Sequence, residues 1–248
     1  MAPNDGETAP AAEPSAARRI ISRSALQDGS FLAAVRAVPG LQVRSDAEIE
    51  ASLTETLDAR PTPDPIWVFG YGSLMWNPAF AFAERRSATL RGWHRRFCLW
   101  MRLGRGTAEK PGLTLALDRG GMTRGVAFRL PEEEERSELL LVWRREMFSG
   151  AYLARWVTLA TPEGPAQAVT FVANRDNDTY AQDLEHQRAV ECIAAATGPL
   201  GTCAEYLFET VAHLEELGVK DRGLERMRRS LAMHLEARQH GAKQSATG

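Results

Sequence analysis

Trp67 to Pro78 reads W-V-F-G-Y-G-S-L-M-W-N-P: an apolar run breaks into Gly-Tyr-Gly-Ser and then turns apolar again. A strand ending at Phe69 with a tight turn behind it is the simplest reading, and several kinds of glycine loop share that outline. A phosphate-binding P-loop is excluded, because Gly72 is followed by Ser73 and Leu74 and no lysine closes the motif. A dinucleotide fingerprint needs a third glycine or alanine where Met75 stands, with a helix opening there, and Trp76-Asn77-Pro78 argues against that helix. Met75 also occupies the place of the last glycine in a G-x-S-x-G nucleophile elbow. Two readings stay open. The glycines can take positive φ and let successive backbone N–H groups point into one concavity that holds a carboxylate or an oxyanion. Alternatively the stretch is a plain turn between buried segments, with Tyr71 and Leu74 in the core.

Outward from this turn, short β-like runs recur at close spacing: 66–69, 96–100, 113–117, 126–130, 155–159 and 168–173. Turn signals such as R-L-G-R-G-T and D-R-G-G-M separate them, as in a compact sheet or small barrel. One helix interrupts the series, opening at Pro131 with Glu132 to Glu135 at the positive end of its dipole and running to Met147. After Ala173 the pattern turns helical over 184–197, 202–217 and 221–238. There is no internal repeat and no regular βα alternation, which disfavours a doubly wound parallel sheet. The predicted class is α+β, a small mixed β-barrel with peripheral helices.

The ends read differently. Residues 1–17 are rich in proline and alanine and lack large apolar groups, so a disordered tail is expected. Residues 18–60 form a helical extension, in which Ser45 and Glu48 make a capping box and Ile49, Leu53 and Leu57 share one face that packs on the domain. The main domain is placed at 61–238, after the helix-stopping P-T-P-D-P of Pro61 to Pro65, and a frayed tail at 239–248.

Composition narrows the partners. Of 248 residues 44% are hydrophobic and 25% charged, and 30 basic against 32 acidic side chains leave a net charge of -2. That balance gives no sign of nucleic acid or an anionic membrane as partner. A core of this size buries about three-quarters of the unfolded chain's surface, enough to enclose a site. Cys98, Cys192 and Cys203 are odd in number and far apart, without a C-x-x-C pair, and no histidine falls in a ligand spacing. Neither metal nor cofactor is expected. The acidic, proline-containing N-terminus is unlike a signal peptide and no segment reaches a spanning length, so a soluble protein of a reducing cytoplasm is expected.

F-G-Y-G-S-L-M-W-N-P, together with V-W-R-R-E-M-x-x-G-A-Y around 142–152 and G-P-L-G-T-C-A-E-Y-L near 198–207, resembles the ChaC-like γ-glutamylcyclotransferases. The resemblance extends from about Ala25 to Met233 and takes in Ala116 to Leu130 and the A-N-x-D-N stretch at 173–177, where Arg175 stands in place of a frequent proline. It implies the γ-glutamylcyclotransferase-like barrel and cleavage of a γ-glutamyl amide, typically glutathione, to 5-oxoproline and a free amine such as cysteinylglycine. It puts the catalytic glutamate on Glu146 and the substrate-gripping loop on Gly70, Tyr71, Gly72, Ser73, Leu74 and Met75. Tyr152 and Tyr180 match two further tyrosines, which by their residue type alone could equally be core residues with one satisfied hydroxyl.

The implied chemistry suits these residues. In a γ-glutamyl amide the substrate's own α-amino group can reach its γ-carbonyl and close a five-membered ring, so no enzyme nucleophile is needed. Alignment of that kind can supply on the order of 7–11 kcal/mol of the barrier. One carboxylate can take the proton of the α-ammonium and return it to the leaving nitrogen. Near a helix end and partly buried, Glu146 is expected to have a raised pKa, with Arg145 turned away as sequence neighbours on a helix usually are. Without the resemblance, Glu146 in R-R-E-M would read as a solvated charge at a helix end. Ser73 as a nucleophile, with His94, His186 or His213 as its base, has no motif to bind it together, and a turn role for it is preferred. The tryptophans are read as packing residues, Trp76 standing close enough to the loop to wall a pocket. Two other functions compete: a non-catalytic sensor of γ-glutamyl ligands or regulator of a transport protein, and a cyclotransferase for other γ-glutamyl amino acids or amines.

Overall fold

The computed structural model describes residues 21–245, so the tail expected over 1–17 lies outside the described residues. Three helices, α1 (Arg23–Gln27), α2 (Ser30–Arg36) and α3 (Asp46–Asp58), make up the described part of the N-terminal extension. The capping box of α3 is formed in both directions: Glu48 N–H donates to Ser45 Oγ at 3.2 Å and Ser45 N–H to Glu48 Oε2 at 2.7 Å. Ile49 and Leu53 are buried beneath it.

A closed barrel follows, built from β1 (Trp67–Gly70), β2 (Glu84–Met101), β3 (Gly112–Arg129), β4 (Tyr152–Thr161) and β5 (Gly164–Ala173). The order around it is β1-β3-β2-β4-β5. β2 with β3 and β4 with β5 are antiparallel hairpins, and β1 closes the ring, antiparallel to β3 and parallel to β5 through Trp67 beside Ala168. All four residues of β1 are buried, as a strand flanked on both edges should be. The mixed barrel of the expected α+β class is therefore present.

Its strands are longer and fewer than the sequence runs imply. The runs at 113–117 and 126–130 belong to one strand, β3, and D-R-G-G-M between them is not a turn. Gly120 and Gly121 have φ of 101° and 68°, and the pairing shifts here from Arg91 beside Met122 to Trp93 beside Arg119. The glycines bend a continuous ladder, a bulge rather than a chain reversal. The first half of β2, rich in arginine, carries no apolar run and was not predicted.

α4 (Glu135–Glu146), preceded by a 3-10 turn at Glu132–Glu134, packs Leu139, Val142 and Trp143 on the barrel. Trp143 meets Phe171 edge to face at 5.2 Å between ring centroids and donates from Nε1 to Ser52 Oγ of α3 at 3.1 Å. The extension is thus tied to the wall that carries Glu146. After β5 come α5 (His186–Ala195), a two-stranded ribbon of β6 (Thr197–Gly198) and β7 (Gly201–Thr202), α6 (Cys203–Glu216) and α7 (Arg222–Ser245). α7 runs seven residues beyond the predicted end at 238, into the segment expected to fray. Ala242, Lys243 and Gln244 favour helix, and Gly241 costs only about 1 kcal/mol. Residues 246–248 lie outside the described part. No helix among the described residues is long and apolar enough to cross a membrane.

Candidate active site

The glycine loop leaves β1 and bends into a 3-10 turn at Ser73–Met75. Neither Gly70 nor Gly72 has positive φ, contrary to expectation; Gly72 sits at φ -138°. These positions need glycine for close approach. A Cβ on Gly70 would lie 3.1 Å from Leu74 Cβ, and one on Gly72 would lie 3.4 Å from Leu115 Cδ2 and 3.8 Å from the Tyr206 hydroxyl. The turn engages the N–H groups of Met75, Trp76 and Asn77 with the carbonyls of Gly72 and Ser73. Among the described residues the N–H groups of Gly72, Ser73 and Leu74 have no hydrogen-bond partner. Three successive donors are thus left for a ligand, as in an anion nest.

Arg95, reaching in from β2, fixes the entrance of the loop. Its Nε donates to the Tyr71 carbonyl at 2.5 Å and its Nη1 to Asp221 at 3.0 Å, so the start of α7 bears on the loop. The Tyr71 hydroxyl donates to the Phe171 carbonyl at 2.7 Å. Tyr71, Leu74 and Met75 are buried. The two open readings of the loop therefore combine: Tyr71, Leu74 and Met75 are core, while the N–H groups of Gly72, Ser73 and Leu74 stay unengaged.

Glu146 is the last residue of α4, where the helix dipole disfavours negative charge, and its side chain is 14% exposed. Burial raises its pKa. Arg145 opposes that rise, contrary to expectation, because its Nε lies 3.0 Å from Glu146 Oε1. The reason is reach. The guanidinium curls toward the loop, donating from Nη2 to Ser73 Oγ at 2.8 Å and from Nη1 to the Asn77 and Pro78 carbonyls, and passes the carboxylate on its way. With the guanidinium shared four ways, burial prevails and the net shift is upward.

Three tyrosines ring Glu146. Burial raises Tyr71, Tyr152 and Tyr206, and the Glu146 charge raises each of them further. They stay neutral at any working pH, leaving Glu146 as the member of this group that can change charge. The Tyr152 hydroxyl donates to the Leu115 carbonyl at 2.8 Å.

Tyr180 packs with Tyr152 on the cluster of Cys98, Leu99 and Ala116 but makes different polar contacts. Its hydroxyl donates to Asp118 Oδ2 at 2.8 Å, and its neighbours in charge are Asp118, Arg175 and Arg96 rather than Glu146. The structure brings Glu146, Tyr152 and the loop together and leaves Tyr180 in a separate ionic cluster. Sequence reasoning missed Tyr206, although it lies within the G-P-L-G-T-C-A-E-Y-L motif, and it expected Arg145 to turn away from the carboxylate.

A cavity of about 150 Å³ opens beside the loop, lined by Ser73, Trp76, Arg105, Thr114, Arg145 and Tyr206 among others. Trp76 is held flat against His213 at 4.6 Å between ring centroids. Ser73 has no base: His94 meets the Gly120 carbonyl, His186 meets Ser230 and His213 meets Glu216. Its Oγ accepts from a guanidinium, which suits a positioned turn residue and not a nucleophile. Cys98, Cys192 and Cys203 are free thiols, Cys98 pushed up to about 12 by burial.

The chain is similar to known proteins of one family. Residues 66–234 match the family model described as ChaC-like protein. Over 206 residues the chain is 46% identical to the glutathione-specific γ-glutamylcyclotransferase of Escherichia coli (strain K12), covering 83% of this chain and 89% of that one. It is 33% identical over 161 residues to the human glutathione-specific γ-glutamylcyclotransferase 1, covering 63% and 72%. A crystal structure of a glutathione-specific γ-glutamyl cyclotransferase from yeast superposes with a TM-score of 0.63 at 20% identity, covering 68% of this chain and 97% of that one, and shares the fold.

Proposed function

From the fact that this chain belongs to the ChaC-like protein family, we propose that it is a γ-glutamylcyclotransferase that cleaves glutathione to 5-oxoproline and cysteinylglycine. One observation carries the reading at the level of residues. Arg145 joins a largely buried carboxylate, Glu146, to a loop offering three unpartnered N–H groups.

The N–H groups of Gly72, Ser73 and Leu74 take the α-carboxylate of the glutamyl unit. Tyr152 and Tyr206, backed by the buried Tyr71, exclude water and fold the chain of the substrate back on itself, the entropic part of the catalysis. Glu146, ionised, removes a proton from the α-ammonium, and the freed amine adds to the γ-carbonyl carbon. The tetrahedral intermediate collapses as the bond to the cysteine nitrogen breaks and Glu146 returns the proton to that nitrogen; the second proton of the attacking nitrogen then passes through the same carboxylate to the released amine, which leaves as an ammonium and the ring as a neutral lactam. No water is consumed and the carboxylate is regenerated, so one general acid/base suffices. A sensor of γ-glutamyl ligands would bind through the loop but would have no use for a carboxylate with a raised pKa.

The test is to incubate the purified protein with glutathione and quantify 5-oxoproline and cysteinylglycine. Equimolar release of both is expected. Absence of 5-oxoproline with glutathione and with every other γ-glutamyl donor tried rejects the proposal.

A further inference from the structure

The cavity beside the loop extends past Ser73 and Tyr206 to Arg105, Met101, Leu200 and Glu209. We propose that Arg105 is a specificity-determining residue that grips the carboxylate at the far end of the leaving dipeptide, so that the enzyme selects γ-glutamyl peptides with a free C-terminus. This rests on the γ-glutamyl reading above and adds what it lacks, a reason to prefer a tripeptide to a simple γ-glutamyl amine.

The position fits first. Tyr206 spans the gap: its hydroxyl stands 3.8 Å from where a Cβ on Gly72 would be, and the Arg105 guanidinium lies over its ring, 5.7 Å from the centroid. The guanidinium is thus about one tyrosine side chain from the loop. A dipeptide extended from the scissile bond reaches about 7 Å. Charge fits next. Glutathione carries two carboxylates, and the cavity is lined by two arginines, Arg145 at the loop and Arg105 beyond, against one acid, Glu209.

Arg105 is also held as a receptor and not as a surface ion pair. Its side chain is 8% exposed, and Nη1 donates to the Thr202 carbonyl at 3.0 Å. Its loop is clamped by backbone contact: a Cβ on Gly106 would lie 2.3 Å from Gly112 N, and one on Gly198 2.3 Å from the Gly104 carbonyl oxygen. The acids that meet the guanidinium are the exposed members. Glu209 at 2.7 Å and Glu205 at 3.6 Å have side chains 43% and 59% exposed, and such pairs contribute little. An incoming carboxylate can displace Glu209 toward water while the planar fork stays in place to take it with two hydrogen bonds.

The experiment compares glutathione with its C-terminal carboxamide, identical in size but lacking the terminal charge. The wild type is expected to favour glutathione in kcat/KM by about 10-fold or more, as for a hydrogen bond to a charged group. Arg105→Gln should abolish that preference, through KM, while still turning over the carboxamide. Glu209→Gln, at the exposed rim, should lower KM for glutathione by more than it changes KM for the carboxamide, which decides the matter even where Arg105→Gln folds poorly. Equal kcat/KM for both substrates in the wild type overturns the proposal, as does an equal loss or gain for both in either variant. If no γ-glutamyl donor is turned over, the proposed function fails instead. Arg105 is then judged by thermal shift, in which glutathione must raise Tm more than the carboxamide does.

Discussion

Asp118 and Glu146 are both carboxylates largely shielded from water, and they are held in opposite ways. Asp118, on β3, is 3% exposed. Burial alone would raise it, but hydrogen bonds from Arg175, Tyr180, the Arg119 N–H and Arg96 outweigh that and hold it down to about 2. Glu146 has a single guanidinium beside it, one that also serves Ser73, Asn77 and Pro78, and burial keeps its pKa raised. Both side chains are largely shielded, 4% and 14% exposed, and the number of donors committed to each sets the opposite directions of their pKa values.

The strongest way to break this contrast is Glu146→Gln. Loss of a general acid/base should lower 5-oxoproline release about 10²–10⁴-fold, measured at saturating glutathione, with the circular dichroism spectrum unchanged. The fold should be no weaker near neutral pH. A carboxyl with a raised folded pKa favours the folded state only at low pH, and that contribution is lost as pH rises past its ordinary 4.5.

Asp118→Asn should act on stability instead. The shift from 3.8 to about 2 corresponds to about 2 kcal/mol, or a Tm lower by about 4–8 °C, with kcat kept within a few-fold. Its sign with pH is the reverse of that for Glu146. The Asp118 contribution is present above about pH 4 and lost as pH falls toward 2, so wild type and variant should converge in acid melts.

A third consequence lies in the pH profile of kcat/KM. Because Glu146 must be ionised to act as base, the profile should rise with pH through an ionisation above the ordinary carboxylate value, and Glu146→Gln should remove that limb. The smallest effect separates the tyrosines. Tyr180→Phe removes one hydrogen bond from Asp118 and should cost about 1 kcal/mol of stability with kcat/KM nearly unchanged. A tenfold loss of kcat/KM there would restore Tyr180 to the site and erase the separation of the two clusters.

Much of this was legible in the sequence where the signal was local. The Ser45–Glu48 capping box, the end of α4 at Glu146 and the short strand before the glycine loop depend on residues within a few positions of each other. What was not legible depends on partners far along the chain. Gly120 and Gly121 suit a turn as well as a bulge, and the long partner strand β2 decides between them. Arg145 and Glu146 should face apart on a regular helix, yet Ser73 and Asn77, about seventy residues earlier, draw the guanidinium across the carboxylate. Tyr180 matched a family motif, but only the fold brings Asp118 within reach of its hydroxyl.

The closing pair of the barrel sets how the protein comes to life. β1 finds its parallel partner β5 some hundred residues downstream, through Trp67 beside Ala168, and Tyr71, just beyond β1, reaches the Phe171 carbonyl across the same seam. Contacts so distant in sequence form late, because the intervening chain must first be ordered. The loop follows β1 and Glu146 ends α4, whose Trp143 packs on Phe171 of β5, so neither hairpin can assemble a working site before closure. During refolding, turnover should therefore appear in the last kinetic phase, and a half-folded chain should spare the glutathione around it.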